Sequence, residues 1–357
     1  MVGPDGVLPL PWLEPVLRQT LQTQRAHALL LHGPQGVGQF ELALTLAQAW
    51  LCESGDAAAE RRPCGVCPSC RLVQAHSHPD LLVLLPEVLQ EALGWGGSAA
   101  DAADAASEKG SKAKPSREIK VEAVRSAVTF AQTTSARGHG KVVVLHPAER
   151  MNGISANTLL KTLEEPPGAA RFVLSCAAPD SLLPTIRSRC QAVTMALPPV
   201  VLATQWLVDR DVVAPEVLLA AAGGQAQEAL LWAEQGVDAA LWVRLPVIVA
   251  RGEAQTLYAW SLPRLIDALQ KLCHDAACVA VGAQPRYFPA GAIEPGADAE
   301  ALAEWMSELN RCARHAEHAW NAGLMLEALV QQGQRALHKA TPDPSTTQRD
   351  SVHSRAW

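Results

Sequence analysis

The chain of 357 residues is 48% hydrophobic and 18% charged, which gives apolar material for two or three packed domains. Its formal net charge of −6 excludes a protein that holds nucleic acid through its overall field, although a local basic face is compatible with it. The opening residues, Met1-Val2-Gly3-Pro4-Asp5-Gly6, have no basic or apolar leader, and the apolar run 241–250 is broken by Arg244; no signal peptide and no membrane span are expected, and the location expected is cytoplasmic and reducing.

A short apolar run at 28–31 ends at Gly33, and helical spacing begins at Phe40 and continues to Leu51. That order, strand then glycine loop then helix, is the setting of a phosphate-binding loop. Gly33-Pro34-Gln35-Gly36-Val37-Gly38-Gln39-Phe40 fits the frame G-x-x-x-x-G-K-[ST] in its glycines but not in its chemistry. Gly33, Gly36 and Gly38 can still let backbone N–H groups wrap a phosphate. Gln39 stands at the lysine position and Phe40 at the hydroxyl position. A unit charge at about 4 Å in an effective dielectric of about 20 is worth roughly 4 kcal/mol, on the order of a thousandfold in binding. The loop is expected to keep a shape and to have lost its nucleotide.

Four of the nine cysteines lie between Cys52 and Cys70. Cys64, Cys67 and Cys70 are separated by two residues each, and thiolates at such gaps can converge on one tetrahedral zinc ion with Cys52 as the fourth ligand. Four protein ligands leave no open position, so the expected role is structural. Competing readings are unligated cysteines, or His76 or His78 in place of Cys52. An iron–sulfur site would need a cysteine where Gln74 stands. Arg61, Arg62 and Arg71 flank the cluster, which keeps a zinc-dependent nucleic-acid module open as a rival; the acidic net charge and few aromatics favour arginines that only solubilise the knuckle.

Further β-prone runs follow at 81–85, 141–145, 171–176 and 192–196, with helical patterns at 121–132 and 156–165 between them. Strands alternating with helices indicate a parallel α/β sheet. Residues 90–117 are low in complexity and read as a mobile insertion. A working ATPase carries acidic residues at the end of a second strand; here His146 and Pro147 stand there, with Glu149 off register as a solvated helix start. In Leu160-Lys161-Thr162-Leu163-Glu164-Glu165-Pro166-Pro167 the prolines stop a helix. Glu164 and Glu165 point about 100° apart, so they make no catalytic pair and read as a solvated helix end. Arg189, within Ser188-Arg189-Cys190, is either a surface ion-pair residue or a planar fork suited to a phosphate presented by a neighbouring subunit. Pro198-Pro199 marks a boundary. Beyond it the chain reads as helices at 201–209, 215–222, 225–235, 239–250, 262–281 and 299–339, without strands, and then as a disordered tail at 341–357.

The glycine loop, the four cysteines, the run 159–167 and Ser188-Arg189-Cys190, in this order, resemble the delta-prime subunits of the bacterial DNA polymerase III clamp loader, within the AAA+ clamp-loader family, over residues 10–235. The resemblance implies an α/β plus all-α chain. An AAA+ P-loop parallel-sheet domain would span 1–197, with a zinc module at 52–70 and the insertion at 90–117. A small helical lid would follow at 198–240, and a helical collar domain at 241–340 would join a hetero-pentameric ring. It implies a structural zinc ion on Cys52, Cys64, Cys67 and Cys70. It places a sensor threonine at Cys176 and a sensor arginine at Gln227, so the working ATPase pattern is missing at Gln39, Phe40, His146, Cys176 and Gln227 alike. It further implies a silent stator that gives Arg189 in trans to ATP on a motor subunit, with a clamp-opening delta subunit, primed DNA and the sliding clamp as partners through the complex. The alternatives are an active AAA+ ATPase using Glu149 or Glu165, and the zinc-dependent DNA-binding module.

Overall fold

The structure is a computed structural model in which residues 1–55, 61–96, 115–314 and 321–338 are described. The chain divides into two compact units, Met1–Trp206 with Gln225–Gln227, and Leu207–Gly224 with Glu228–Trp357.

The first unit is built on five strands: β1 (Ala28–His32), β2 (Leu81–Leu84), β3 (Val142–Leu145), β4 (Arg171–Cys176) and β5 (Gln191–Thr194). Their order is β2-β3-β4-β1-β5 and every pairing is parallel. Central parallel strands are covered on both faces, which favours unbroken apolar runs. Leu29, Leu30 and Leu31 of β1 and all of β3 are accordingly buried. The edge strands β2 and β5 are only partly covered. The chain leaves β1 for β2 across β4 and β3, and returns from β4 to β5 across β1. A parallel sheet whose connections reverse in this way leaves a crevice at the carboxyl ends of the strands, beside β1. This is the parallel α/β sheet domain expected from the sequence.

The helices of this unit are α1 (Glu14–Thr23), α2 (Gln39–Leu51), α3 (Pro68–Gln74), α4 (Glu87–Gln90), α5 (Val121–Gln132), α6 (Gly153–Glu164) and α7 (Pro184–Arg187). Helix α2 is buried along nearly its whole length and packs against β1, β3 and β4. Helix α6 starts where Asn152 Oδ1 accepts from the Ser155 N–H at 3.0 Å, a side-chain cap for an orphan amide. It stops before Pro166.

The second unit is helical, and no strand occurs among the described residues beyond 198. Its elements are the end of α8 (Val200–Val208), α9 (Pro215–Ala221), most of α10 (Ala226–Glu234), α11 (Ala239–Arg251), α12 (Leu262–Ala280), α13 (Ala299–Arg314) and α14 (Ala322–Leu337). Trp242 is fully buried and stacks on Phe288 with centroids 4.9 Å apart. Asp275 is buried yet satisfied, its carboxylate accepting from the N–H groups of Arg286, Tyr287 and Phe288 at 2.7–3.0 Å.

Three sequence expectations change. The single helix expected at 299–339 is two, because Asn321 Oδ1 accepts from the Leu324 N–H and starts α14 afresh. Helix α1 carried no sequence signal strong enough to be read. The insertion expected at 90–117 begins as ordered chain: Trp95 stacks on His76 at 3.9 Å. Residues 97–114 of it, and the tail expected at 341–357, lie outside the described residues.

Candidate functional site

The glycine loop leaves β1 at the carboxyl end of the sheet and runs into α2. Gly38 sits at φ 98°, and a Cβ there would lie 2.5 Å from Leu10 Cδ1, so only glycine fits this close approach. The cradle is filled from within. Gln39 is buried and its amide turns back, donating to the carbonyls of Gly33 at 2.9 Å and Pro34 at 2.6 Å. Trp12 Nε1 donates to the Val37 carbonyl at 3.0 Å. Gln225 packs over Gly36. Gln227, at the place of the sensor arginine, donates to Glu41 Oε1 at 2.7 Å in the first turn of α2.

Phe40 is buried too, and its ring stacks on His146 with centroids 4.8 Å apart. Ser175 Oγ donates to the Leu145 carbonyl at 3.3 Å, and a hydroxyl has a single proton to give; it therefore accepts from His146 Nδ1 at 2.9 Å. Burial pushes the His146 pKa down to about 4. A neutral imidazole packed on a phenyl ring thus occupies the strand end where a metal-binding carboxylate would stand. Burial raises the Cys176 thiol to about 12, which leaves it uncharged as well. Glu149 Oε1 accepts from the Ala177 N–H at 3.0 Å, so this carboxylate caps a turn. Glu165 is exposed at the far end of α6.

Helix α2 ends at Leu51 and hands the chain to Cys52. The thiols of Cys52, Cys64, Cys67 and Cys70 all lie within 4.8 Å of one another. The Cys52–Cys67 and Cys64–Cys70 sulfur pairs are each 3.9 Å apart. A tetrahedron with zinc–sulfur bonds of about 2.3 Å has edges of about 3.8 Å, so the four sulfurs fit a closed metal site. The turn is organised for it: the N–H groups of Cys67 and Cys70 donate to the sulfurs of Cys64 and Cys67, both at 3.4 Å. Burial pushes the Cys64 thiol up, but hydrogen bonds from the backbone of Val66 and Cys67 outweigh it and bring its pKa to about 7. Gly65 lies at φ 73°, where a Cβ would be 2.0 Å from the Gly3 carbonyl oxygen. Gln74 stitches the knuckle to the N-terminal segment by donating to the carbonyls of Gly65 at 2.8 Å and Val2 at 2.9 Å.

The histidines take no part as ligands. His76 is held by Trp95 and by the Gly94 carbonyl. His78 Nδ1 accepts from the Asp80 N–H at 3.0 Å, so its Nε2 carries the proton and donates to Ser69 Oγ at 2.6 Å. Of the flanking arginines, Arg62 donates to the Ser54 carbonyl.

Arg189 follows α7 and precedes β5, at the amino end of the sheet. Gln191 is level with Leu29 at the start of β1. Gly33 lies four residues farther along β1, about 13 Å at roughly 3.3 Å per residue. The arginine and the cradle of the same chain therefore sit at opposite ends of the strands. Burial raises the thiol of the adjacent Cys190 to about 12, so that residue packs and does not react. Glu164 ends α6 exposed, as expected, and carries one contact that the sequence did not reveal: Arg189 Nε donates to its Oε1 at 2.7 Å. Sequence reasoning also missed the roles of Gln225 and Ser175. They match no motif, and their roles follow only from which elements the fold brings together.

A family model described as DNA polymerase III, delta subunit, matches residues 12–199. Within that span lie the cradle, the four cysteines and Arg189. A DNA polymerase III subunit delta' from Pseudomonas aeruginosa is 38% identical over 232 residues, covering 64% of this chain and 62% of that protein. Its counterpart from Escherichia coli is 31% identical over 291 residues, covering 75% and 78%.

The chain belongs to the delta-prime family of DNA polymerase III subunits.

The aligned stretch thus spans less than two thirds of the Pseudomonas delta-prime subunit. The DNA polymerase III subunit tau of Escherichia coli is 35% identical over 164 residues, covering 46% of this chain and 20% of that protein. Among solved structures, a DNA polymerase III gamma subunit-related protein from Thermotoga maritima covers 92% of the chain and 100% of its own at 16% identity, with a TM-score of 0.47. None of the described helices of this delta-prime family member is long and apolar enough to cross a membrane.

Proposed function

We propose that this chain is a catalytically silent stator subunit of a sliding-clamp loader. It hydrolyses no nucleotide of its own and gives Arg189 to ATP bound on an adjacent motor subunit. The observation that carries the reading is the separation of Arg189 from its own cradle along the strands. An arginine at the amino end of the sheet cannot serve a phosphate held at the carboxyl end of the same sheet. The cradle supports the same conclusion, since Gln39, Phe40 and His146 all satisfy one another or the loop. Residues 1–197, 198–240 and 241–340 then act as AAA+ domain, lid and collar, and the collar joins a five-membered ring with motor subunits and a clamp-opening delta subunit. Primed DNA and the sliding clamp are met through that complex.

The four cysteines hold a structural zinc ion in this reading. Bound there, zinc supplies cross-linking and no catalysis, because four thiolates leave no position for substrate. Cys52 ties the end of α2 to the knuckle, and Gln74 ties the knuckle to Val2. Neither rival reading gains support: Glu149 is held by the Ala177 N–H, Glu165 is exposed beyond the end of α6, and Arg62 is engaged by the knuckle itself.

The test is Arg189→Ala in the assembled loader. Turnover at the site it faces should fall by about 10³-fold, removing that site's share of DNA-stimulated ATPase. The melting temperature of the isolated chain should not move. Unaltered ATPase in the assembled variant would end the trans-arginine reading.

A further inference from the structure

Glu164 closes α6 and Arg189 follows α7. The two motifs are 25 residues apart and flank β4 in the chain, yet they meet because α6 and α7 both end at the amino side of the sheet. Arg189 Nε donates to Glu164 Oε1 at 2.7 Å, and Nη2 reaches the same oxygen. On its other side Nη1 donates to the Thr185 carbonyl at 2.8 Å and reaches Ser188 Oγ at 3.5 Å. A guanidinium has five N–H donors in one plane. These contacts fix the plane of the fork from two sides without exhausting its donors.

We infer that Glu164 is a positioning residue for Arg189, holding the guanidinium in the orientation in which it meets a phosphate of the neighbouring subunit. The inference rests on the trans-arginine reading above. The pair is 28% and 47% exposed at its two side chains, and exposed pairs add little to folding. Its consequence lies in preorganisation. A free arginine samples many rotamers, and one already fixed in its working plane loses less freedom when the neighbour docks. Small misplacements of a charged group cost far more in turnover than in binding. Glu165 makes no such contact with Arg189; it lies just past the helix, where the backbone has left the helical conformation (φ −128°, ψ 78°). The carboxylate also carries a cost that the geometry limits: it repels a phosphate, but it contacts only one edge of the fork.

The experiment uses the assembled loader with Glu164→Ala, Glu164→Gln, Arg189→Ala and the Glu164→Ala/Arg189→Ala double variant. Glu164→Ala should lower the Arg189-dependent part of kcat about tenfold, with KM for ATP changed less than twofold. Glu164→Gln keeps an acceptor oxygen and should recover part of the loss. The double variant should match Arg189→Ala alone. All four isolated chains should melt together, and Glu164→Gln is read in place of Glu164→Ala should the latter not fold. An unchanged or raised kcat in the Glu164 variants, beside a depressed Arg189→Ala, overturns the positioning role and leaves the trans reading standing. A silent Arg189→Ala removes both.

Discussion

The two ends of helix α2 make opposite use of one buried element. At its amino end Gln39 and Phe40 close a cradle that the glycines would otherwise open. At its carboxyl end Cys52 completes a cluster of four thiols whose spacing fits a metal ion. The helix is 13 residues long, about 20 Å at 1.5 Å per residue. On the proposed reading, the chain has lost one kind of ligand chemistry across that distance and kept the other. The difference teaches what a scaffold needs. A nucleotide that cycles would make the loop move, and apolar and amide groups replace it with fixed contacts. A closed metal site does not cycle, so it serves rigidity and stays.

The sharpest way to break this comparison is to remove the metal. Structural zinc contributes on the order of 10 kcal/mol to small domains that cannot fold without it. Here the sheet has its own core, so a smaller share is expected, several kcal/mol. Chelation, or Cys64→Ser with Cys70→Ser, should lower the melting temperature of the first unit by about 10 °C or more. Hydrogen exchange should rise first at Val2, Gly3 and α3, which the knuckle ties together through Gln74. It should then reach Asp80 through Ser69 and His78. If metal analysis of the purified chain finds none and chelators leave melting untouched, the two ends of α2 are alike in having lost their ligands.

At the other end the corresponding test is pH. His146 titrates near 4 when folded and near 6.5 when unfolded. Above about pH 6.5 neither state holds the proton, and the contribution is complete. As pH falls from 6.5 toward 4 the unfolded chain gains a proton that the folded chain refuses, so stability is lost, up to about 3 kcal/mol. His146→Asn keeps a donor toward Ser175 and cannot titrate. It should be less stable at pH 7, through loss of the stack on Phe40, and flatter between pH 6.5 and 4. The variant carries the same cysteines, so acid release of metal cancels in the difference between the urea unfolding curves. Parallel curves for the two proteins would mean that the imidazole is not sealed in the cradle.

Much of this was legible before the structure. The central strands declared themselves because a parallel sheet buries both of their faces, so runs such as Val142-Val143-Val144-Leu145 carry no polar interruption. The cysteine cluster and the altered loop were legible because both chemistries need fixed residue types at fixed spacing. What escaped is of another kind. Gln39 was visible as a lost lysine, but its return to the Gly33 and Pro34 carbonyls depends on a rotamer. Glu164 read as solvated and is exposed, but its pairing escaped because the partner is 25 residues away across a strand. The start of α14 is marked by a single capping asparagine inside a stretch of helix-forming residues. Contacts between elements, rather than the elements, are what periodicity does not encode.

The smallest expected effect is also the most discriminating for the cradle. Gln39→Lys restores the missing cation in one step. The ammonium can donate to the same two loop carbonyls that the amide now engages, so folding should change by about 1 kcal/mol or less. ATP binding should improve over the parent, since a cation again faces the phosphates. Magnesium should make no difference to that affinity. Phe40 offers no hydroxyl, and His146 is neutral, buried and turned toward Ser175, so nothing in the cradle holds the ion. Calorimetry with ATP in the presence of magnesium, and again with a chelator, separates the two losses. Equal affinities mean that the cradle was silenced twice, once for the phosphate and once for the metal. Magnesium-dependent tightening would mean that the lysine alone was missing and that the ring stack at Phe40 yields readily.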